Sequence, residues 1–444
     1  MIKLTVQKQR VGPILGRHPW VFSGALKQIP EGLKNGEPVA LVNEEGGFLA
    51  QGYFNSYSQI AVRLWSWDQR EEVDDKFFEK RISDAYAIRK NLVETKKTDS
   101  YRLVHSENDL LPGLIVDKYA DCLVLQFHTP GIEFWKESIV KALKKIVKPV
   151  GIYERSDVRD RQRVVIANEV KQSSSVVIAA SADANQPPRN DNNQSSGLLY
   201  GKVPERIKIT ENGFYFWVDA MKGQKTGFFL DQRDKRQALV KYSDGKDVLN
   251  CFSYSGGFSV YALGGGAKHV VSVDSSQSAL ELAQENVKLN KMDLKKCEFV
   301  CGDVKQYLNN PDLNPAFSSK EKEPQDPLLR GEGRVRSGSR KFDIIILDPP
   351  AFVKDRRKVQ EGLMGYRKIN EAALRLLASG GVLVTASCSA HVSLSDFRYM
   401  LSESAGRSRR TLQVLETYTH GIDHPELAAF TEGEYLKCVF AKVV

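Results

Sequence analysis

Apolar positions in the first 70 residues fall in short runs punctuated by glycine. Those at 39–42, 48–53 and 60–65 predict the strands of a small, mostly β module. Between 75 and 93 the period changes, and Phe78, Ile82, Ala85, Ile88 and Leu92 recur at helical spacings. Strand-like segments at 102–104, 113–116 and 122–127, a helix at about 131–146 and a strand near Ile152 follow as an α+β middle segment. From about Ile207 onward strands at 247–250, 269–273, 297–300, 342–347 and 382–385 are interleaved with helices at 278–289 and 371–377. Such a βαβ series predicts an α/β fold on a doubly wound, Rossmann-like parallel sheet. Domain boundaries are therefore expected at 1–70, 71–205 and 206–444. Residues 163–196, rich in Asn, Gln, Pro and Ser, and 311–340, rich in Pro, Gly and charge, carry neither period. They cannot bury enough surface to offset ordering entropy, so inserted loops or disorder are expected there.

Composition narrows this picture only a little. At 444 residues and 41% apolar content, the chain can build packed cores in about three domains. No apolar block of signal-peptide length opens it, and no run approaches the roughly 18 apolar residues of a membrane span. A cytoplasmic protein with no membrane partner is expected. The net charge of +9 is compatible with a polyanionic partner but does not require one. Six cysteines, at 122, 251, 297, 301, 388 and 438, include no Cys-X-X-Cys pair. Neither a zinc ribbon nor a disulfide scaffold is expected, and no metal.

Chemistry concentrates at predicted strand ends. The strand at 247–250 runs into Cys251-Phe252-Ser253-Tyr254-Ser255-Gly256-Gly257-Phe258, whose glycine pair lets backbone approach a ligand at a helix N-terminus. It is not a G-x-G-x-x-G pattern. The next strand ends in Asp274-Ser275, where an acid can accept from both ribose hydroxyls of an adenosyl group. A further strand ends in Gly302-Asp303, placed for an adenine amino group. Then comes Asp348-Pro349-Pro350-Ala351-Phe352. Each element alone is usually structural; the four in this order are similar to those of class I S-adenosylmethionine-dependent methyltransferases. The Asp348 carboxylate and the Pro349 carbonyl can accept from an exocyclic amine, and Phe352 can stack on a base. That set also fits amino-methyltransferases acting on adenine N6 or guanine N2. Cys388 separates the cases, because pyrimidine C5 becomes nucleophilic only after a thiolate adds at C6.

Together with Gly223-Gln224-Lys225-Thr226-Gly227-Phe228-Phe229-Leu230-Asp231-Gln232-Arg233, Ser387-Cys388-Ser389 and Asp423-His424-Pro425, these motifs resemble the bacterial 23S rRNA cytosine-5 methyltransferases of the large-subunit methyltransferase I type. The resemblance covers nearly the whole chain and excludes the two inserts. It implies an N-terminal PUA domain, matching residues 16–26 and 47–63, then a middle α+β domain and a class I methyltransferase domain. It implies Cys388 as nucleophile and Asp348 at the cytosine N3/N4 edge. S-adenosylmethionine is the implied cofactor, held by Phe252, Ser253, Ser255, Gly256, Gly257, Asp274, Ser275, Asp303, Asp348 and Thr226. Pro349, Phe352, Gln224 and Phe228 would border the substrate. In the first 70 residues, Arg17, His18, Trp20, Arg63, Trp65 and Trp67 read equally as barrel core or as a base-stacking surface. The implied partner, 23S rRNA, moves Arg17 and His18 toward RNA contact. A homodimer stays open.

Three functions compete at this stage. The first is 5-methylcytosine formation in 23S rRNA through a covalent Cys-C6 adduct. The second is N2-guanine or N6-adenine methylation without an adduct. The third is a non-catalytic RNA-binding protein on the same fold, against which the complete set Asp274, Asp303, Asp348 and Cys388 argues.

Overall fold

The computed structural model describes residues 1–156, 195–310, 340–353 and 355–444. Nearly all of the two expected inserts lies outside the described residues. The chain divides into two compact units, the first made of Met1–Ile209, Val218–Leu230 and Ile422–Gly433, the second of Thr210–Trp217, Asp231–Gly421 and Glu434–Val444.

The first unit holds two sheets. β1 (Ile2–Thr5), β2 (Trp20–Phe22), β3 (Pro38–Val42), β4 (Phe48–Phe54) and β5 (Ile60–Ser66) form one, in the order β1-β3-β4-β5-β2. Leu4, Val39, Leu41, Val62 and Leu64 fill its core. The opposite face of β4 and β5 is not solvated: Tyr53 and Trp65 pack into the core of the next layer, against Phe77 and Phe78. Close approach there demands glycine, since a side chain at Gly52 would meet the Arg63 carbonyl oxygen at 2.0 Å.

The second sheet comprises β6 (Tyr101–His105), β7 (Leu114–Tyr119), β8 (Cys122–Phe127), β9 (Gly151–Ser156) and β10 (Ser195–Gly201), in the order β10-β9-β8-β7-β6. Helix Asp75–Leu92 covers it, started by Asp74, whose carboxylate accepts from the Phe77 N–H at 2.9 Å. The helix expected at 131–146 is broken at Trp135 into Pro130–Phe134 and Lys136–Ile146.

The first unit's main segment ends at Ile209, close to the expected boundary at 205, but the division is not a single cut in the sequence. Segments 218–230 and 422–433, expected in the last domain, belong to the first unit because they complete its buried polar groups. Arg89, with no exposed surface, is held bidentately by Asp109 at 2.7 Å and donates to the Asp423 carbonyl at 3.1 Å. The Asp423 carboxylate accepts from the Arg102 N–H, and Arg102 pairs with Asp117. A buried guanidinium without these acceptors would be costly.

The hairpin β11 (Arg206–Glu211) and β12 (Phe214–Asp219) spans the division in sequence. The second unit is a seven-stranded sheet of β13 (Asp247–Cys251), β14 (His269–Asp274), β15 (Cys297–Cys301), β16 (Phe342–Leu347), β17 (Leu377–Ser387), β18 (Leu412–Tyr418) and β19 (Lys437–Val443), ordered β15-β14-β13-β16-β17-β19-β18. The first five are parallel, as their unbroken apolar runs imply. The last two are not: β19 runs antiparallel to both β17 and β18, so the sheet is mixed at one edge. No described helix is long and apolar enough to cross a membrane.

Candidate active site at the strand-order reversal

From β13 the chain moves outward to β14 and β15, then returns to the other side of β13 as β16. Cys251 is in register with both Val273 and Leu347. The segments beginning at Phe252, Asp274 and Asp348 therefore leave the sheet side by side. At such a reversal the flanking loops diverge and open a crevice at the carboxyl ends of the strands.

The loop after β13 is tightly wound. Phe252 (φ 57°), Tyr254 (φ 44°) and Gly256 (φ 74°) all take left-handed conformations, which are costly for the two non-glycine residues. Asp274 secures the loop: one carboxylate oxygen accepts from the Tyr254 N–H at 2.8 Å and the other from the Ser276 N–H at 2.9 Å. The Asn286 amide clamps the Ser255 carbonyl at 2.9 Å. Gly256 caps helix Gly257–Gly264, whose first-turn N–H groups lack intrahelical acceptors. The Ser253 hydroxyl is buried with no protein partner. Asp303 is exposed, and one of its oxygens caps helix Val304–Asn309 through the Gln306 N–H at 2.9 Å. Ser275 is also exposed, its carbonyl near the Cys301 thiol. An orphaned hydroxyl, free helix N–H groups and two carboxylates at adjacent strand ends fit an adenosyl ligand.

The loop after β16 faces the loop after β17. Asp348 is half-buried and accepts from the Gln232 side-chain amide at 2.8 Å; the Gln232 carbonyl oxygen is itself buried and unpartnered. Asp231 beside it accepts from the Tyr435 hydroxyl at 2.7 Å. Pro349 is buried, and its carbonyl lies 3.8 Å from the Cys388 sulfur. Phe352 is half-buried against Tyr366, ring centroids 4.6 Å apart, with the Lys305 ammonium 5.6 Å from its ring. Ser389 ties the two loops: its hydroxyl accepts from the Val353 N–H at 3.1 Å and meets the Tyr366 hydroxyl at 2.9 Å. Burial raises the Tyr366 hydroxyl above the usual range. Burial likewise pushes the neighbouring Cys438 thiol up to about 12, with Asp348 adding to the shift. Cys438 is thus an inert core thiol, whereas half-buried Cys388 stands at the strand end.

Two side chains at this site are assigned no role by strand pattern or motif, although Gln232 lies inside the motif at 223–233. Gln232 reaches Asp348 only because helix Arg233–Leu239 begins at it. Lys437 is 1% exposed, and its ammonium donates to the carbonyls of Ser389 at 2.9 Å and Tyr435 at 3.2 Å. A lysine at the head of the apolar run 438–441 was the available cue, since buried lysine is rare.

The remaining expected site residues fall in the first unit. Thr226 is fully buried; its hydroxyl donates to Asp117 at 2.5 Å and meets the Tyr119 hydroxyl at 2.8 Å. Phe228 is buried, its N–H directed at Tyr119, and Gln224 is exposed in the turn that its carbonyl closes onto the Gly227 N–H. Arg17 is exposed and lies 5.4 Å from the Trp67 ring. His18 contacts Glu432 at 3.3 Å. Trp65 is core, which answers the even choice for that residue in favour of packing, whereas Trp20 is half-buried with its indole N–H donating to Glu107 at 2.8 Å. Among the described residues no His, Cys, Asp and Glu cluster could hold a metal.

Comparison with known proteins bears on the family and the fold. A PUA-like domain model matches residues 4–67, and an S-adenosylmethionine-dependent methyltransferase model matches 177–316. A Tolumonas auensis protein named ribosomal RNA large subunit methyltransferase I is 38% identical over 441 residues, spanning 99% of this chain and 98% of its own length. The protein of that name from Shigella dysenteriae serotype 1 is 36% identical over 444 residues, spanning 100% and 99%. Among solved structures, a Streptococcus mutans protein described as a SAM-dependent methyltransferase aligns over 100% of both chains with a TM-score of 0.77 and 24% identity. A methyltransferase complexed with SAH aligns equally fully, with a TM-score of 0.78 and the same identity. At that identity the structures speak for the fold.

Proposed function

This chain belongs to the ribosomal RNA large subunit methyltransferase I family, and on that premise we propose that it forms 5-methylcytosine in 23S rRNA with Cys388 as nucleophile. The observation that carries the reading is the placement of the Cys388 thiol 3.8 Å from the Pro349 carbonyl, across from the Asp348 carboxylate loop. A base flipped into this crevice would present its exocyclic amine to Asp348 and its ring to Phe352. Gln232 holds the carboxylate in one orientation for that contact.

Cys388 adds as thiolate to C6, forming an S–C bond and shifting the C5–C6 electron pair onto C5. S-adenosylmethionine, the family's cofactor, supplies the electrophilic methyl group when bound. Phe252, Ser253, Ser255, Gly256, Gly257, Asp274, Ser275 and Asp303 would hold its adenosyl part. Loss of the C5 proton then returns an electron pair to the ring as the C6–S bond breaks, and Cys388 is freed as thiolate. Asp348 would also border the methyl donor, without carrying a large share of its affinity. In the first unit, Arg17 and His18 are the proposed RNA contacts and exposed Gln224 a proposed substrate contact, while Thr226 and Phe228, buried against Asp117 and Tyr119, would act only by bracing the turn that carries Gln224.

The test is covalent trapping. RNA carrying 5-fluorocytosine should accumulate a protein–RNA adduct on denaturing gels, because fluorine at C5 blocks the elimination. Cys388→Ala should bind cofactor normally, form no adduct and lose methyl transfer by at least about 10³-fold. Methylation of guanine or adenine by the Cys388→Ala protein would instead establish the amino-group reading.

A further inference from the structure

The buried ammonium of Lys437 has no role in the chemistry so far described, and its surroundings are unusual. It is an almost fully covered cation whose donors go to two backbone carbonyls, those of Ser389 and Tyr435, with no carboxylate within ion-pair distance among the described residues. Lys437 lies opposite Ser387 in the antiparallel register of β17 and β19, so the ammonium rests on the carbonyl of the residue just after Cys388. A lone buried cation is expensive, and it is retained where an anion forms beside it.

We propose that Lys437 is the positioning residue that stabilises the Cys388 thiolate, shifting the thiol equilibrium toward its reactive form as the proton leaves to solvent. This rests on Cys388 being the nucleophile. Two features support it. Burial lowers the Lys437 ammonium below the usual lysine range, while Glu434 and Cys388 both pull it back up. Coupling between two titrating groups is mutual, so the cation that the thiolate favours also favours the thiolate. Among the described residues, the titratable groups beside the thiol include Lys437 on β19 with Glu434 just before it, Tyr366 on helix Val359–Leu376, and Asp348, next to the Pro349 carbonyl that faces the sulfur. Asp348 and Glu434 as carboxylates oppose thiolate formation, and Tyr366 stays neutral with its hydroxyl engaged by Ser389.

The experiment reads alkylation of Cys388 by iodoacetamide as a function of pH in the full-length protein, by mass spectrometry of the Cys388 peptide. The wild-type midpoint should fall below the roughly 8.5 of a free thiol. Lys437→Met should raise it by at least one pH unit, slowing alkylation at pH 7 by about tenfold or more while leaving the high-pH plateau unchanged. Lys437→Arg should keep the rate within about threefold of wild type at pH 7. A wild-type midpoint at or above that of a free thiol overturns the proposal whatever the variants do, including a Lys437→Met protein that fails to fold. An unmoved midpoint in folded Lys437→Met overturns it as well. The two readings separate cleanly. If 5-fluorocytosine RNA traps the enzyme but the Lys437→Met midpoint does not move, only the lysine assignment falls. If the midpoint moves but Cys388→Ala still methylates cytosine, the nucleophile assignment falls instead.

Discussion

Single residues at this site owe their chemistry to what surrounds them. Cys251 and Cys438 are thiols on the same sheet as Cys388, yet burial drives both far above the ordinary thiol range, alone at Cys251 and with Asp348 adding at Cys438. Only the strand-end position leaves Cys388 reachable. Asp348 is likewise distinguished by its fixed orientation, since the Gln232 amide fills one of its oxygens. Asp348→Ala removes the acceptor for a base amine and leaves the Gln232 amide without its partner. Single-turnover methylation should fall by about 10²-fold or more, with cofactor affinity changed little. Calorimetry showing an equal loss of both would place Asp348 on the cofactor side. Gly256 is bound by geometry: it sits at φ 74°, and an added Cβ would lie 2.7 Å from the Ala283 side chain. Gly256→Ala should destabilise the second unit by about 1–3 kcal/mol, read as a lower thermal midpoint. An unchanged midpoint would mean the loop has room to relax.

Elements were legible in proportion to how strongly their surroundings are one-sided. β16 spans Phe342–Leu347, the range its apolar run indicates, because a central parallel strand is buried on both faces. Helix Val359–Leu376 is signalled only over its last turns; its first half carries Gln360, Glu361 and exposed Met364, which blur the period. β18 escapes the pattern for a related reason. It is an edge strand with most of its side chains exposed, paired on one side only. β19 was missed although buried, because Lys437 interrupts the run at its head. That interruption is where the inference about the thiolate begins.

The whole molecule differs from a simple succession of domains. The first unit recruits 218–230 and 422–433 from far along the chain to satisfy Arg89, Arg102 and Asp117. Asp423→Ala should therefore expose the Arg102 N–H as an unsatisfied donor and weaken that unit by about 1–3 kcal/mol. Hydrogen exchange should quicken in β6 and β7, and unchanged protection there would show the segment to be a passive passenger.

Residue order alone determined the strand-end acids, the thiol and the class of fold, because buried parallel strands are continuous apolar runs and their loops must lie at one edge. It also carried the family resemblance. It did not determine that Thr226 and Asp423 serve the first unit, that the far edge of the sheet is antiparallel, or that a lysine reaches the loop holding Cys388. Those depend on hydrogen bonds between positions tens to hundreds of residues apart, as from Arg89 to Asp423 or Lys437 to Ser389. Local periodicity has no term for such partners, and only the folded chain decides them.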